Sequence, residues 1–271
     1  MFKINLKFFF IIIPILSSGI SSAIKPDSTY KVTPENYNIP FKEIVIKTKD
    51  DFEINTWIYD PDSSSKKNVT IILAGTDAGN MSYFIYQAAN LMNKGYRVVC
   101  FDYRGFGHSS KFNINRDYLY YDEFSSDLLA VLKYSREKYP SNLLGIYGLS
   151  MGSLISFSIA DSNYVDFIIA EGVVFDAKTS SEKIGKTQNR KIIYPPSAER
   201  IKNIALNSTF PMLLIEGQKD NISAINDCLT LLSDKKNREI IVFNGGHLEG
   251  IPILQNCYFD YIEDFIDGLK K

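Results

Sequence analysis

Four short, near-continuous apolar runs constrain this chain more than any other feature: Val69–Ala74, Tyr96–Phe101, Leu143–Tyr147 and Phe167–Ala170. A strand without a polar face must be covered on both sides, which is the situation of a parallel sheet packed between helices. The segments between the runs supply those helices. Phe84, Ala88, Leu91 and Met92 recur at helical spacing in Ser82–Lys94, closed by Gly95, and Phe124, Leu128, Val131 and Leu132 do so ahead of Pro140. Further strands are expected at Met212–Ile215 and Glu239–Phe243, and further helices at Met151–Ala160, Ala224–Leu232 and Pro252–Leu269. Phe41–Ile46 and Phe52–Tyr59 alternate apolar and polar residues around Lys49-Asp50-Asp51 and read as an antiparallel hairpin. The whole predicts an α/β fold, a mostly parallel sheet with helices on both faces. Val174–Phe210 alone lacks clear periodicity and is the place for a lid.

Composition narrows the function classes. The chain is 45% hydrophobic and 23% charged, enough apolar side chain for a full core. Thirty Lys and Arg against 31 Asp and Glu leave a formal charge of -1, which argues against a nucleic-acid partner. Three Cys in 271 residues are too few for a disulfide scaffold. Cys100 reads as inert core, and Cys228 and Cys257 fall on separate helices. With two His in all, any histidine chemistry must use His108 or His247.

The first 23 residues have a different character. Lys3 and Lys7 precede an apolar run, Phe8–Ile20, and Ser21, Ser22 and Ala23 follow as small residues suited to a signal-peptidase cut. The run is broken by Pro14 and falls short of the roughly 20 residues that span a bilayer. Residues 1–23 are therefore expected to be a signal peptide and 24–271 a single domain, exported to a periplasm or the medium. The other outcome is an uncleaved segment that anchors the protein to a membrane.

The candidate chemistry begins at Gly148-Leu149-Ser150-Met151-Gly152. This G-x-S-x-G follows a buried strand and opens a helix, the context of a nucleophile elbow, where a sharp turn lifts the serine hydroxyl above the sheet. A serine hydroxyl needs a general base, and the base a carboxylate to orient it. Elbow proteins carry these in the order Ser, acid, His. Only His247, in Gly245-Gly246-His247, satisfies that order; His108 reads as a residue of a glycine-rich turn. Asp220, just past the strand Met212–Ile215, is the candidate acid, with Asp176, Glu216 and Asp227 as competitors and Glu216 as a second buried carboxylate near the site. Oxyanion donors are expected from the backbone N–H of Met151 and, in the loop after Ala74, of Thr76.

The elbow, the turn Asp102-Tyr103-Arg104-Gly105-Phe106-Gly107, the loop Gly217-Gln218-Lys219-Asp220 and Gly246-His247 together resemble the α/β-hydrolase superfamily. Within it the order and spacing are similar to small-lid hydrolase-domain enzymes and to relatives of monoglyceride lipase and serine aminopeptidase. The resemblance covers Phe41 to the C-terminus. It implies an α/β-hydrolase fold with a mostly parallel eight-stranded sheet and a short lid at about 174–210. It also implies Ser150, Asp220 and His247 as catalytic residues, Thr76 and Met151 as the oxyanion hole, and no cofactor or metal. The chain departs from the family at Ala74-Gly75, where His-Gly is common, and at Glu216, where His is common. The expected activity is hydrolysis of a carboxylic ester or thioester through an acyl-enzyme, on a small-molecule or lipid acyl ester. Two alternatives are an aminopeptidase-like peptidase of the same fold and a non-catalytic binding protein on a hydrolase scaffold.

Overall fold

A computed structural model describes residues 23–115, 117–233 and 235–269. The expected signal segment lies outside them, apart from Ala23. No helix among the described residues is long and apolar enough to cross a membrane.

The central sheet has eight strands: β1 (Lys42–Lys47), β2 (Glu53–Tyr59), β3 (Val69–Ala74), β4 (Arg97–Phe101), β5 (Leu143–Leu149), β6 (Phe167–Glu171), β7 (Met212–Gly217) and β8 (Arg238–Phe243). Their spatial order is β8-β7-β6-β5-β3-β4-β2-β1. The hairpin strands β1 and β2 pair antiparallel, β2 pairs antiparallel with β4, and every other pairing is parallel. Helices α1 (Ile85–Asn93), α2 (Tyr121–Lys138), α3 (Met151–Ser158), α4 (Ala177–Gln188), α5 (Arg200–Asn207), α6 (Ile225–Leu232), α7 (Gly250–Leu254) and α8 (Asn256–Gly268) complete the fold.

The alternation of the strands divides the core in two. Ile72, Ala74, Val99, Ile146, Ile168 and Leu214 face one side, with Phe124, Leu128, Leu154, Ile201 and Cys228 from the covering helices. Ile71, Leu73, Val98, Tyr147, Ile169 and Leu213 face the other, against Ala88 and Leu91 of α1 and Phe259 and Ile262 of α8. Full burial of each such aliphatic or aromatic side chain contributes about 1.5–3 kcal/mol. Both layers are therefore needed, and strands without a polar face follow from that.

Two expectations are corrected, and one further segment takes part in the fold. Val174–Phe210 is not an aperiodic loop: it contains α4, a 3₁₀ turn at Pro196–Glu199, and α5. Asp176 caps α4, its carboxylate accepting from the N–H groups of Lys178 (3.1 Å) and Thr179 (3.3 Å), and Ile201 and Ala205 of α5 are buried in the core. The final helix is two helices, interrupted at Gln255, whose φ of 52° ends the first. Residues 25–40, given no role above, form a strap. Lys25–Pro26 pairs in parallel with Ala78–Gly79 in the loop after β3. The Asp27 carbonyl accepts from Gly107 N–H (2.9 Å) and from Asn80 Nδ2 (3.0 Å). Cys100, Cys228 and Cys257 are all free thiols, with Cys257 exposed on α8.

Candidate active site

The carboxyl ends of β3, β5, β6, β7 and β8 converge, as they must where parallel strands feed helices and loops on one edge. At the end of β5 the chain turns through Ser150, with φ 53° and ψ -115°, before α3 begins. This is a backbone conformation that a non-glycine residue occupies only under constraint. The constraint is visible on both sides. A Cβ on Gly148 would lie 2.7 Å from the Gly152 carbonyl oxygen, and one on Gly152 would lie 2.0 Å from that of Ala74. Only glycine at both positions lets strand, turn and helix pack this closely. The Ser150 N–H is fixed by the Glu171 carbonyl at 2.9 Å.

The acid and base loops meet because β7 and β8 are paired. Val242 registers with Glu216 and Phe243 with Gly217. Beyond the pairing, Gln218 N–H donates to the Phe243 carbonyl (2.9 Å) and Lys219 N–H to that of Gly245 (2.8 Å). Asp220 and His247 then face each other. His247 Nδ1 is 2.7 Å from Asp220 Oδ2, and Nε2 is 2.8 Å from Ser150 Oγ. The Asp220 side chain is 1% exposed and that of His247 9%. The structure thus brings together Ser150, His247 and Asp220. It places Asp176 at the cap of α4, paired with Lys202, and Asp227 in the first turn of α6. His108 is exposed and stacks on Tyr30, ring centroids 4.1 Å apart.

Asp220 is the most heavily hydrogen-bonded group of the site. Oδ1 accepts from Ile222 N–H (2.7 Å) and Ser223 N–H (3.0 Å), and Oδ2 lies 2.7 Å from Ser223 Oγ. Burial pushes its carboxyl up, but the hydrogen bond and charge of His247, with Ser223 and Ile222, hold it well below the ordinary carboxylate range. Glu216 behaves oppositely. It is fully buried, and desolvation, opposed by the Val173 N–H and Ser223 and reinforced by Asp220, pushes it up to about 7.

The contacts of Gly152 with Ala74 and Gly75 bring the first N–H of α3 beside the loop that carries Thr76. No acceptor among the described residues engages the Thr76 or Met151 N–H. The Thr76 hydroxyl donates to the Ala78 carbonyl (2.8 Å), shaping the loop that the strap pairs with. Among the described residues no three metal-ligating side chains come together.

Two residues of the site were not anticipated. Gly172, just past β6, has φ 61°, and a Cβ there would lie 2.5 Å from His247 Cε1, so its bareness makes room for the imidazole. Glu171 is buried, accepts from Tyr258 OH (2.6 Å) and Gly250 N–H (2.8 Å), and so ties the end of β6 to the helix after the His247 loop. Neither has a local signal: a glycine after a strand and a glutamate at its end are ordinary until tertiary neighbours are known.

The fold has known counterparts. An esterase of Pyrococcus furiosus, Pf2001, superposes with a TM-score of 0.73, covering 90% of this chain and 98% of its own at 18% identity. XC6422 from Xanthomonas campestris, an α/β serine hydrolase without a lid, does so at 0.60 over 85% and 94%, at 17% identity. The chain has the α/β-hydrolase fold. A family model described as serine aminopeptidase, S33, matches residues 65–183, which include the elbow and the loop after β3 and stop short of Asp220 and His247. YfhR of Escherichia coli, an uncharacterized protein, is 24% identical over 233 residues, 83% of this chain and 80% of its own. In this fold Ser150 lies after β5, and Asp220 and His247 lie after β7 and β8, in the order expected from the sequence.

Proposed function

We propose that the protein is an exported serine hydrolase that cleaves carboxylic ester or thioester bonds of a small-molecule or lipid acyl substrate. The observation that carries this reading is the unbroken chain from Ser150 Oγ through the His247 ring to Asp220 Oδ2, at 2.8 and 2.7 Å. Neutral His247 takes the Ser150 proton as the hydroxyl attacks the acyl carbonyl. Asp220, an acceptor at His247 Nδ1, fixes the tautomer that leaves Nε2 free to accept. The Met151 and Thr76 N–H groups receive the oxyanion. His247 returns the proton to the leaving group, and an acyl-enzyme remains on Ser150. Water activated by the same imidazole releases the acid. The steps need no cofactor.

The test is turnover of nitrophenyl esters of graded acyl length by protein beginning at Ile24, beside Ser150→Ala. Serine-dependent turnover is expected, with a length optimum that sizes the acyl site; equal turnover by the variant would overturn the reading. The match of residues 65–183 to the serine aminopeptidase model favours a second reading, release of N-terminal residues from peptides. An aminoacyl nitroanilide in the same assay decides between them. Folded protein that neither turns over an ester nor takes a fluorophosphonate label would be a binding scaffold.

A further inference from the structure

Ser223 Oγ lies between two carboxyl groups, 2.7 Å from Asp220 Oδ2 and 2.8 Å from Glu216 Oε1. A serine hydroxyl has one proton and can donate to only one of them. The second contact needs a proton of its own. If both carboxyls were ionised, a lone pair of the hydroxyl would face one carboxylate, with two negative charges buried together. The donors decide where the extra proton sits. Asp220 receives Ile222 N–H, Ser223 N–H and His247 Nδ1 in addition to the hydroxyl. Glu216 has donors only at Oε2, from Val173 N–H (2.9 Å) and the Cys228 thiol (3.4 Å). Its Oε1 faces Ser223 and is free to carry hydrogen.

We infer that Glu216 is a proton-bearing positioning residue. Its Oε1–H donates to Ser223 Oγ, Ser223 donates to Asp220, and Asp220 orients His247. The inference rests on the reading of Ser150, His247 and Asp220 as the reactive site. Its functional content is an alkaline limit. When Glu216 ionises, the Ser223 proton is drawn from Asp220 and a second negative charge appears behind the acid loop.

The other charged groups near this chain do not supply the proton. The Cys228 thiol of α6 is pushed far up by burial and by Glu216 itself, and Asp227 stands beside it. A cavity of about 80 Å³ beyond Ser223 is lined by Asp176, Lys183, Lys202 and Asp227. Lys202 is committed to Asp176 (2.9 Å) and Lys183 to the Ile222 carbonyl (3.0 Å). From the loop after β6 the Val173 N–H reaches Glu216.

The experiment is the pH dependence of fluorophosphonate labelling of Ser150, which needs no knowledge of the substrate. Infrared detection of a protonated carboxyl in the folded chain accompanies it. In the wild type the labelling rate is expected to fall on the order of tenfold on the alkaline side. Glu216→Gln, which supplies N–H in place of O–H, is expected to remove the alkaline fall together with the Glu216 share of the carboxylic-acid band, read as the wild-type-minus-variant difference. Ser223→Ala is expected to keep the band and to label on the order of tenfold more slowly. An alkaline fall unchanged in Glu216→Gln, no carboxylic-acid band in the wild-type-minus-Glu216→Gln difference, or Ser223→Ala labelling at the wild-type rate would each overturn the inference. Wild type that labels with this profile but turns over no ester would defeat the esterase reading and leave the inference standing. Folded wild type that takes no label would defeat both.

Discussion

The two histidines stand in similar local sequence and meet opposite fates. Each follows a glycine in a loop at a strand end, and each has an aspartate with a buried side chain near it. Asp220 reaches the ring of His247, at Nδ1. Asp102 reaches only the backbone N–H of His108, at 3.4 Å, because its oxygens are already taken by Met81 N–H (2.7 Å) and by the Tyr30 hydroxyl. The His108 ring is left to stack on Tyr30 in solvent contact. A histidine beside a carboxylate is thus not yet a base. It can serve as one when the carboxylate is oriented by other donors, the ring is sheltered, and a hydroxyl lies on its far side, as around His247.

Exchanging the histidines breaks the comparison most sharply. His247→Ala should lower ester turnover on the order of 10⁴-fold. His108→Ala should stay within about threefold, as substitutions of exposed side chains outside a packed or hydrogen-bonded network do. Equal losses in the two variants, each folded by circular dichroism, would refute the assignment. The aspartates come next. Asp220→Asn should lower kcat by roughly 10³–10⁴-fold by offering the wrong partner to Nδ1, whereas Asp102→Asn should leave kcat nearly intact.

The same pair gives opposite slopes of stability with pH. Asp220 is held low, so its contribution is present above the ordinary carboxylate range and is lost as the pH falls. Asp102 is pushed up to about 6, chiefly by burial and against the donors Tyr30, Met81 and His108. Its folded form binds the proton more tightly than the unfolded one, so stability is greatest below about pH 4 and is lost as the pH rises through about 6. Relative to Asp102→Asn, the wild type should lose about 3 kcal/mol across that interval, read from denaturant melts at each pH. A flat difference would show that Asp102 is ionised throughout.

Smaller effects test the surroundings. Gly172→Ala places a methyl against the His247 ring at a positive φ, and should slow turnover about tenfold with a loss of about 1–3 kcal/mol. Tyr30→Phe removes a donor from Asp102 and should cost about 1–2 kcal/mol of stability with kcat unchanged. A fall in kcat there would mean that the strap acts on the loop it pairs with.

The nucleophile end was readable because its signals are local. Apolar runs fixed β3 to β6, and the glycines flanking Ser150 announce a turn that tolerates no side chain. Chain order then selected His247 over His108, and the position after β7 selected Asp220 over Asp176, whose carboxylate is used to cap a helix. What escaped depends on contacts between distant parts of the chain. The strap pairs through two residues 53 positions from their partners, too few to show alternation. Helix α4 has a largely polar sequence, Ala-Lys-Thr-Ser-Ser-Glu-Lys-Ile-Gly-Lys-Thr-Gln, held by its cap and its neighbours rather than by an apolar stripe. Gly172 matters only because the imidazole arrives from a loop 75 residues later. Sequence position had marked Glu216 as a buried carboxylate near the site, but not the serine that joins it to Asp220.

If Ser150 is the nucleophile proposed above, its dihedral angles set stability against activity at a single position. A residue with φ 53° and ψ -115° is one that glycine would occupy with less strain, by about 1–3 kcal/mol before the looser unfolded chain is counted. Selection for thermal resistance alone would therefore favour replacing the nucleophile early. Lineages of this fold freed from the need to hydrolyse should drift toward glycine at the elbow and keep the rest of the molecule intact.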